Sequence, residues 1–321
     1  MMSGIDVSIV MAAWNAADHI APAIRSALSQ KDVALELIII DDASPDETLA
    51  AVRRAARNDP RLRLERLQAN GGPSAARNRG LELATGRYIA VLDCDDSFSP
   101  GRLARLVHRA DDTGADIIAD NMSRITELGA PSASGTPFLN PDHLDGASWI
   151  RLSTYLDPAT ARMYGEDLGY LKPLFRREIL DRTGLRYDTK LRNSEDFYLV
   201  AELLAAGARF LLEPSRGYNY LVRPGSISHR LTPDMTRALV EAHSDFSARH
   251  ALDMNHGAKK ACLARAQMLA RSHAFERVVA AIKAKRPGGV FGVISSEPAN
   301  LPHIAGRLMG IGLGKLGLGG A

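Results

Sequence analysis

Two short runs, Leu37–Ile40 and Tyr88–Leu92, are apolar at every position, and each ends on carboxylates: Asp41-Asp42 after the first, Asp93-Cys94-Asp95-Asp96 after the second. A run with no polar face to turn to water predicts a strand covered by helices on both sides, as in a parallel sheet. Ligands of open α/β sheets bind beyond the carboxyl ends of the strands, where both acidic clusters would then stand. Three like charges at the end of an apolar strand are costly to desolvate without a counter-charge. A divalent cation holding a phosphorylated ligand would supply it. A solvated acidic turn, with Asp96 or Ser99 capping the next helix, is the plainer alternative.

The first 120 residues alternate between strand-like and helix-like sequence. Val7–Met11 reads as a strand, a helix follows from about Ala17 to Leu28, and a second strand begins at Leu35. Ser44-Pro45-Asp46-Glu47 has the form of a helix start, with Ser44 as N-cap and Glu47 at the capping-box position. Leu62–Leu67 alternates as an edge strand does, and a helix from about Pro73 to Ala84 stops at Gly86. Ser99-Pro100 starts another helix, and Ala115–Ala119 reads as a further strand. This repeated βα pattern predicts an α/β fold with a mostly parallel sheet.

Beyond Asn121 the regularity fades. Residues 127–147 are rich in Pro, Ser and Gly and read as a loop, Tyr170–Phe175 is short and apolar, and helices are expected over Arg177–Thr183 and Glu195–Ala206. Helical sequence resumes near Asp234 and over 258–286, and the glycine-rich end from Gly288 predicts a mobile tail.

The net charge of +3 is too small to imply a nucleic-acid partner. It is unevenly spread: residues 251–321 hold ten Lys/Arg and three Asp/Glu, which leaves residues 1–250 at −4. Phe275, Val278, Val279 and Ile282 form an apolar stripe beside Lys283, Lys285 and Arg286. That helix either lies on an anionic membrane surface or packs on the main body. No apolar stretch is long enough to span a bilayer, and the first residues lack a signal-peptide pattern. With two distant cysteines, Cys94 and Cys262, the expectation is a cytoplasmic protein, peripheral at the inner face of the cell membrane.

Asp41, at a strand end, can accept an N–H from a nucleobase, and Trp14 can lie against an aromatic ring beside Ala12 at the end of the first strand. The alternatives are helix capping for Asp42 and plain burial for Trp14. Gly71-Gly72-Pro73-Ser74-Ala75-Ala76-Arg77-Asn78-Arg79-Gly80 opens a helix with small residues, so its amides and a guanidinium suit a pyrophosphate. It lacks the Gly-Lys-Ser/Thr ending of a Walker loop, and the first strand turns without the glycines of a dinucleotide fingerprint.

Together Val7–Val10 with Trp14-Asn15, Ile40–Ser44, Gly72–Gly80 and Leu92–Asp96 with Pro100 resemble the family 2 glycosyltransferases of GT-A fold, in both order and spacing over roughly residues 5–230. The arrangement looks most like the bacterial branch that builds exopolysaccharide repeat units, including succinoglycan-type enzymes. The resemblance implies a Rossmann-like catalytic domain over 1–230, with a donor half of about 1–122 and an acceptor half of about 123–230. A basic helical extension and tail would fill 231–321.

It also implies inverting, Mg²⁺- or Mn²⁺-dependent transfer of a hexosyl group. The donor would be a nucleotide diphosphate sugar, usually a UDP-sugar, and the acceptor a hydroxyl of a saccharide or lipid-linked saccharide. Asp41 would read the base, Asp93 the ribose, and Asp95 would hold the metal, with Asp93 and Asp96 as further candidate ligands.

An inverting displacement needs a base opposite the leaving group. Asn193-Ser194-Glu195-Asp196-Phe197 resembles the family's Glu-Asp motif, with Asp196 as base and Glu195 holding the acceptor or a neighbour. Both residues would also favour a helix N-terminus through its dipole. Glu166-Asp167 is a competing pair on a seat flanked by glycines. Tyr218–His229 resembles the segment that closes the family's site, with Leu221 in place of the usual Arg. Arg223 would neutralise diphosphate and His229 would be a metal ligand. Two other classes remain in view: a sugar nucleotidyltransferase, which wants a basic glycine-rich loop absent from Ala12–Ala17, and a non-catalytic nucleotide-sugar-binding scaffold.

Overall fold

In the computed structural model, which describes residues 4–127, 129–130, 134–222 and 231–315 with side chains to residue 310, the two apolar runs lie in strands of one sheet, on either side of the first strand of the chain. Elements in chain order are β1 Val7–Ala13, α1 Ile20–Leu28, β2 Leu35–Asp41, α2 Thr48–Ala56, β3 Leu62–Arg66, α3 Pro73–Leu83, β4 Tyr88–Val91, β5 Ser97–Phe98, α4 Arg102–Thr113 and β6 Ile117–Ile125. There follow β7 Thr136–Pro137, β8 Ser148–Ile150, α5 Leu152–Leu156, α6 Pro158–Tyr164, β9 Leu174–Arg176, α7 Arg177–Thr183, α8 Glu195–Ala205 and β10 Phe210–Leu221. Helices α9 Pro233–His250, α10 His256–Lys283, α11 Pro287–Ser296 and α12 Leu301–Lys315 complete the described chain. Two compact units result, Met1–Pro224 and Gly225–Ala321.

The first unit is built on a sheet ordered β3-β2-β1-β4-β9-β6-β10-β5 and flanked by helices. Its β3-β2-β1-β4 half is parallel, as the uninterrupted apolar runs predict. The other half is mixed. β10 runs parallel to β6, but β9 is antiparallel to both β4 and β6, with Phe175 in register with Ile89 on one side and Ile117 on the other. Because β9 runs against β4, the residues that precede it, Lys172 and Pro173, emerge at the carboxyl end of β4.

Polar residues near the strand ends tie loops together where the sequence suggested helix caps. α2 begins at Thr48, and Ser44 Oγ instead accepts the Asn15 N–H at 3.1 Å. Asp46 accepts from Ala17 N at 3.0 Å, and Thr48 Oγ1 accepts from Ala16 N at 2.9 Å. These bonds knit the β1–α1 loop to the β2–α2 loop, which both border the end of β2. Helix α3 rests directly on β1: a Cβ at Gly80 would lie 2.3 Å from Val10 Cγ1, so only glycine permits this approach.

Beneath the acidic run lies a wholly buried ion pair. Arg102 and Asp120 are both 0% exposed, 2.9 Å apart, and the guanidinium sits over the rings of Phe98 and Tyr218 at 4.8 and 5.4 Å. Arg102 Nη2 also donates to the Lys172 carbonyl at 2.6 Å, fixing the backbone that enters β9. Removing one member of a buried pair leaves its partner short of charge. Arg102→Met should therefore lower unfolding stability by about 3 kcal/mol, the low end for such pairs because Arg105 still reaches Asp120. A urea midpoint unchanged from wild type would contradict this.

In the second unit, Ala274, Phe275 and Val278 of α10 pack with Val293 of α11 and Ile304 of α12. The segment beyond Gly288 is thus helical through Lys315 where the composition suggested a mobile tail. The reason is that Val290, Val293, Ile304 and Leu308, spaced between the glycines, reach one shared core. No helix among the described residues is long and apolar enough to cross a membrane.

Candidate active site

The end of β4, the start of α3, the start of α8 and the segment entering β9 converge on one cluster of charges. Arg77 of α3 is buried and reaches three carboxylates: Asp93 at 2.7 Å, Glu195, and Asp196 at 3.5 Å. Lys172, also buried, bridges Asp93 at 3.0 Å and Asp196 at 2.6 Å. Two cations thus hold together carboxylates that arrive from the β4 end and from α8.

Burial alone would drive the Lys172 ammonium down, but Asp196 and Asp93 more than offset it and hold its proton affinity above the ordinary range. Asp93 feels the same exchange in reverse. Burial would raise it, and Lys172 and then Arg77 hold it well below the usual carboxylate range.

Local structure explains why Asp196 arrives there. Asn78, next to Arg77 on α3, clasps the Tyr187 backbone with both its amide groups at 2.9 Å. Ser74 donates to the Leu191 carbonyl at 3.2 Å, and Arg77 lies over the Tyr187 ring at 5.4 Å. The segment that leads into α8 is therefore fastened to α3, and Glu195 and Asp196 occupy the first turn of α8. The favourable helix-dipole placement and the ion pairs operate together.

Asp96 has a different setting from its neighbours. It is 2% exposed, and its two oxygens accept from the Tyr218 hydroxyl and the Leu221 N–H, each at 2.8 Å. Burial, then the charges of Asp95 and Asp93, push its proton affinity well up. Tyr218 also accepts from Asp93 N at 3.2 Å, so it braces both ends of the run. Asp93 and Asp96 each have both oxygens engaged by protein donors, and Asp95 stands between them, half-buried. A surplus of negative charge in an all-oxygen donor set fits a hard divalent cation such as Mg²⁺ or Mn²⁺. No cluster of three or more His, Cys, Asp or Glu in metal-binding geometry occurs among the described residues.

Asp41 lies at the end of β2 with no exposure. Its Oδ2 accepts from Ser44 N at 3.2 Å and faces Arg66 at 3.4 Å, whereas its Oδ1 is buried without a hydrogen-bond donor among the described residues. An orphaned buried acceptor is costly, and a base N–H would satisfy it. Ala12 pairs with Ile40 in the neighbouring strand, and Trp14, just beyond β1, is 52% exposed rather than buried.

Two expectations change here. The amides of Gly71 and Gly72, which looked suited to a pyrophosphate, donate to the two oxygens of Asp42 at 2.7 and 2.8 Å. Asp42 is thus the anchor of this loop and not a helix cap, and Arg77 is committed to carboxylates. Of the competing pair, Glu166 is bound to Arg124, and Asp167 caps the short turn Leu168–Tyr170 by accepting from Gly169 N at 2.8 Å. Arg223 and His229 lie outside the described residues. Lys172 and Tyr218 carry much of the site's geometry without having been singled out from sequence. For Lys172 the one available signal was a lone lysine inside an apolar segment.

Comparison with known proteins bears on the family and the fold. Residues 8–167 match the family model described as Glycosyl transferase family 2. Over 300 residues the chain is 38% identical to the succinoglycan biosynthesis protein ExoO of Rhizobium meliloti, covering 94% of this chain and 84% of that protein. Among solved structures, S. aureus TarS 1–349 in complex with UDP-GlcNAc superposes with a TM-score of 0.60 at 18% identity, covering 92% of each chain. The mannosyltransferase PcManGT from Pyrobaculum calidifontis, in complex with GDP-Man and Mn²⁺, gives 0.59 at 20% identity, over 97% of this chain and 81% of that one. At these identities the structural matches speak for the GT-A fold.

Proposed function

This chain belongs to glycosyl transferase family 2, and within that family we propose that it moves a sugar from a UDP-sugar to a saccharide hydroxyl during exopolysaccharide assembly, with inversion at the anomeric carbon. One observation carries the reading: Lys172 joins Asp93 of the donor-side run to Asp196 of α8, so a donor-side carboxylate and a candidate base are held by one ammonium group. Saccharide assembly is supported by the relative's role in succinoglycan biosynthesis. The uridine donor is supported by the orphaned Asp41 Oδ1, which suits the imide N–H of uracil, and by the UDP-GlcNAc complex of a protein with the same fold.

In this reading Asp41 and Trp14 receive the base, Asp93 the ribose, and Asp95 is the residue that would hold a divalent cation. Such a cation, when bound, neutralises the charge that develops on the departing diphosphate. Asp196 accepts the proton of the acceptor hydroxyl as that oxygen bonds to the anomeric carbon and the sugar–phosphate bond breaks, its electrons leaving with the nucleoside diphosphate. Arg77 and Lys172 orient Asp196 and Asp93, and Glu195 steadies Arg77. A lipid-linked saccharide is the acceptor class proposed.

Incubating the purified chain and Mn²⁺ with a panel of UDP-, GDP- and dTDP-sugars, and following release of free nucleotide, tests the donor. Hydrolysis confined to UDP-sugars is expected. Release from another nucleotide class would overturn the uridine assignment, and release from none, with no nucleotide binding, would overturn the catalytic one.

A further inference from the structure

The Gly225–Ala321 unit holds a surface that glycosyl transfer does not use. At the turn between α10 and α11, Ile282, Val290, Phe291 and Ile294 line an apolar groove of about 570 Å³, and Lys285 and Arg286 stand at its rim. Phe291 is 72% exposed and Ile282 50%, in a unit that buries Phe275 and Val278 almost completely.

α11 contains no charged residue and is apolar on two sides. One side, with Val293, closes the core against α10 and α12; the other, with Phe291 and Ile294, lines the groove. A helix apolar on more than one face belongs in a protein core or in lipid. The local charge decides what covers it. Residues 277–321 contain six Lys/Arg and a single carboxylate, Glu297, which is paired with Arg277 at 2.7 Å. A second copy would bring two such basic rims face to face, which like-charge repulsion opposes. An anionic leaflet complements both the basic rim and the apolar floor.

We propose that the α10–α11 turn is a membrane-docking surface, with Phe291 and Ile294 entering the acyl boundary of an anionic leaflet while Lys283, Lys285 and Arg286 contact its headgroups. The proposal goes beyond the transfer chemistry and stands whichever sugar is moved. It would hold the enzyme at the surface where a lipid-linked acceptor resides.

Flotation of the full chain with phosphatidylcholine vesicles, with and without phosphatidylglycerol, tests it. Wild type should partition onto the phosphatidylglycerol vesicles alone. Each basic side chain near an anionic surface contributes about fivefold, so the triple variant K283Q/K285Q/R286Q should bind roughly a hundredfold more weakly. Phe291→Asp should lose at least about tenfold, the value of burying a phenylalanine in an apolar phase. All of these side chains are exposed, and unchanged circular dichroism and nucleotide binding in the same samples separate this result from failure of the transferase reading. The proposal is overturned if wild type floats with neither vesicle or with both equally, if the variants float as wild type does, or if light scattering shows that the surface instead pairs two copies.

Discussion

Asp196→Asn should lower glycosyl transfer by a factor of about 10² to 10⁴, the contribution of a positioned general base, while nucleotide affinity stays within about twofold. The amide keeps the volume of the carboxylate and an oxygen for Lys172, whose Nζ lies 2.6 Å from Asp196 in the native site. It loses the capacity to take a proton from an acceptor hydroxyl. Donor affinity should survive because Asp41, Asp93 and Asp95 are untouched. The readout is initial velocity against nucleotide titration on one preparation. Retained turnover would remove Asp196 from the base role, and a fall in nucleotide affinity as large as the fall in rate would make it a structural support of the donor site. Glu195→Gln is a useful companion: it weakens the grip on Arg77 without removing the base, so its effect on rate should be smaller.

The parts of this site that lie in the regular βα region were readable in the sequence. The runs ending at Ile40 and Leu92 are apolar throughout because both faces of their strands are buried, and this alone sets Asp41 and Asp93 at the carboxyl edge. Asp196 was readable through its motif, and the contacts of Asn78 and Ser74 give that motif a physical basis: α3 holds the segment before α8 in place.

Lys172 was not readable, and the reason is topological. In a parallel sheet, a residue preceding a short strand lies at the edge opposite the acidic run. β9 is instead antiparallel, which carries Lys172 to the end of β4 beside Asp93. Three residues of strand hold too little pattern to declare their direction. The loop bonds of Ser44, Asp42 and Asp46 escaped for a related reason. Short polar side chains next to a glycine or proline serve a cap or a loop cross-link equally well, and only the neighbouring loop decides between them.

Asp95→Asn carries the second large expectation. Asp93 and Asp96 are each occupied by two protein donors, so they can offer a cation little beyond what they already share. In the proposed reading Asp95 is the carboxylate that would hold the cation, so metal-dependent nucleotide binding would depend on it. Loss of a residue that merely orients a metal ligand typically costs ten- to a hundredfold in metal affinity, and loss of the ligand itself should cost more than about a hundredfold. The same variant should also relieve repulsion around Asp96, whose proton affinity the charge of Asp95 helps to raise, so the fold should be no less stable than wild type. Unaltered Mn²⁺-dependent nucleotide binding would take Asp95 out of the metal role, and a large drop in unfolding midpoint would mean that Asp95 is structural.

In the proposed reading the acidic run after β4 and the end of β2 together form a metal-assisted site for a nucleoside diphosphate. Calorimetric titration of UDP into the wild-type chain, once with Mn²⁺ and once with EDTA, tests it most directly. Saturable one-to-one binding is expected with Mn²⁺, falling by at least about tenfold in EDTA, since diphosphate would then meet uncompensated carboxylates. Equal affinity in both conditions, or no UDP binding in either, would contradict it.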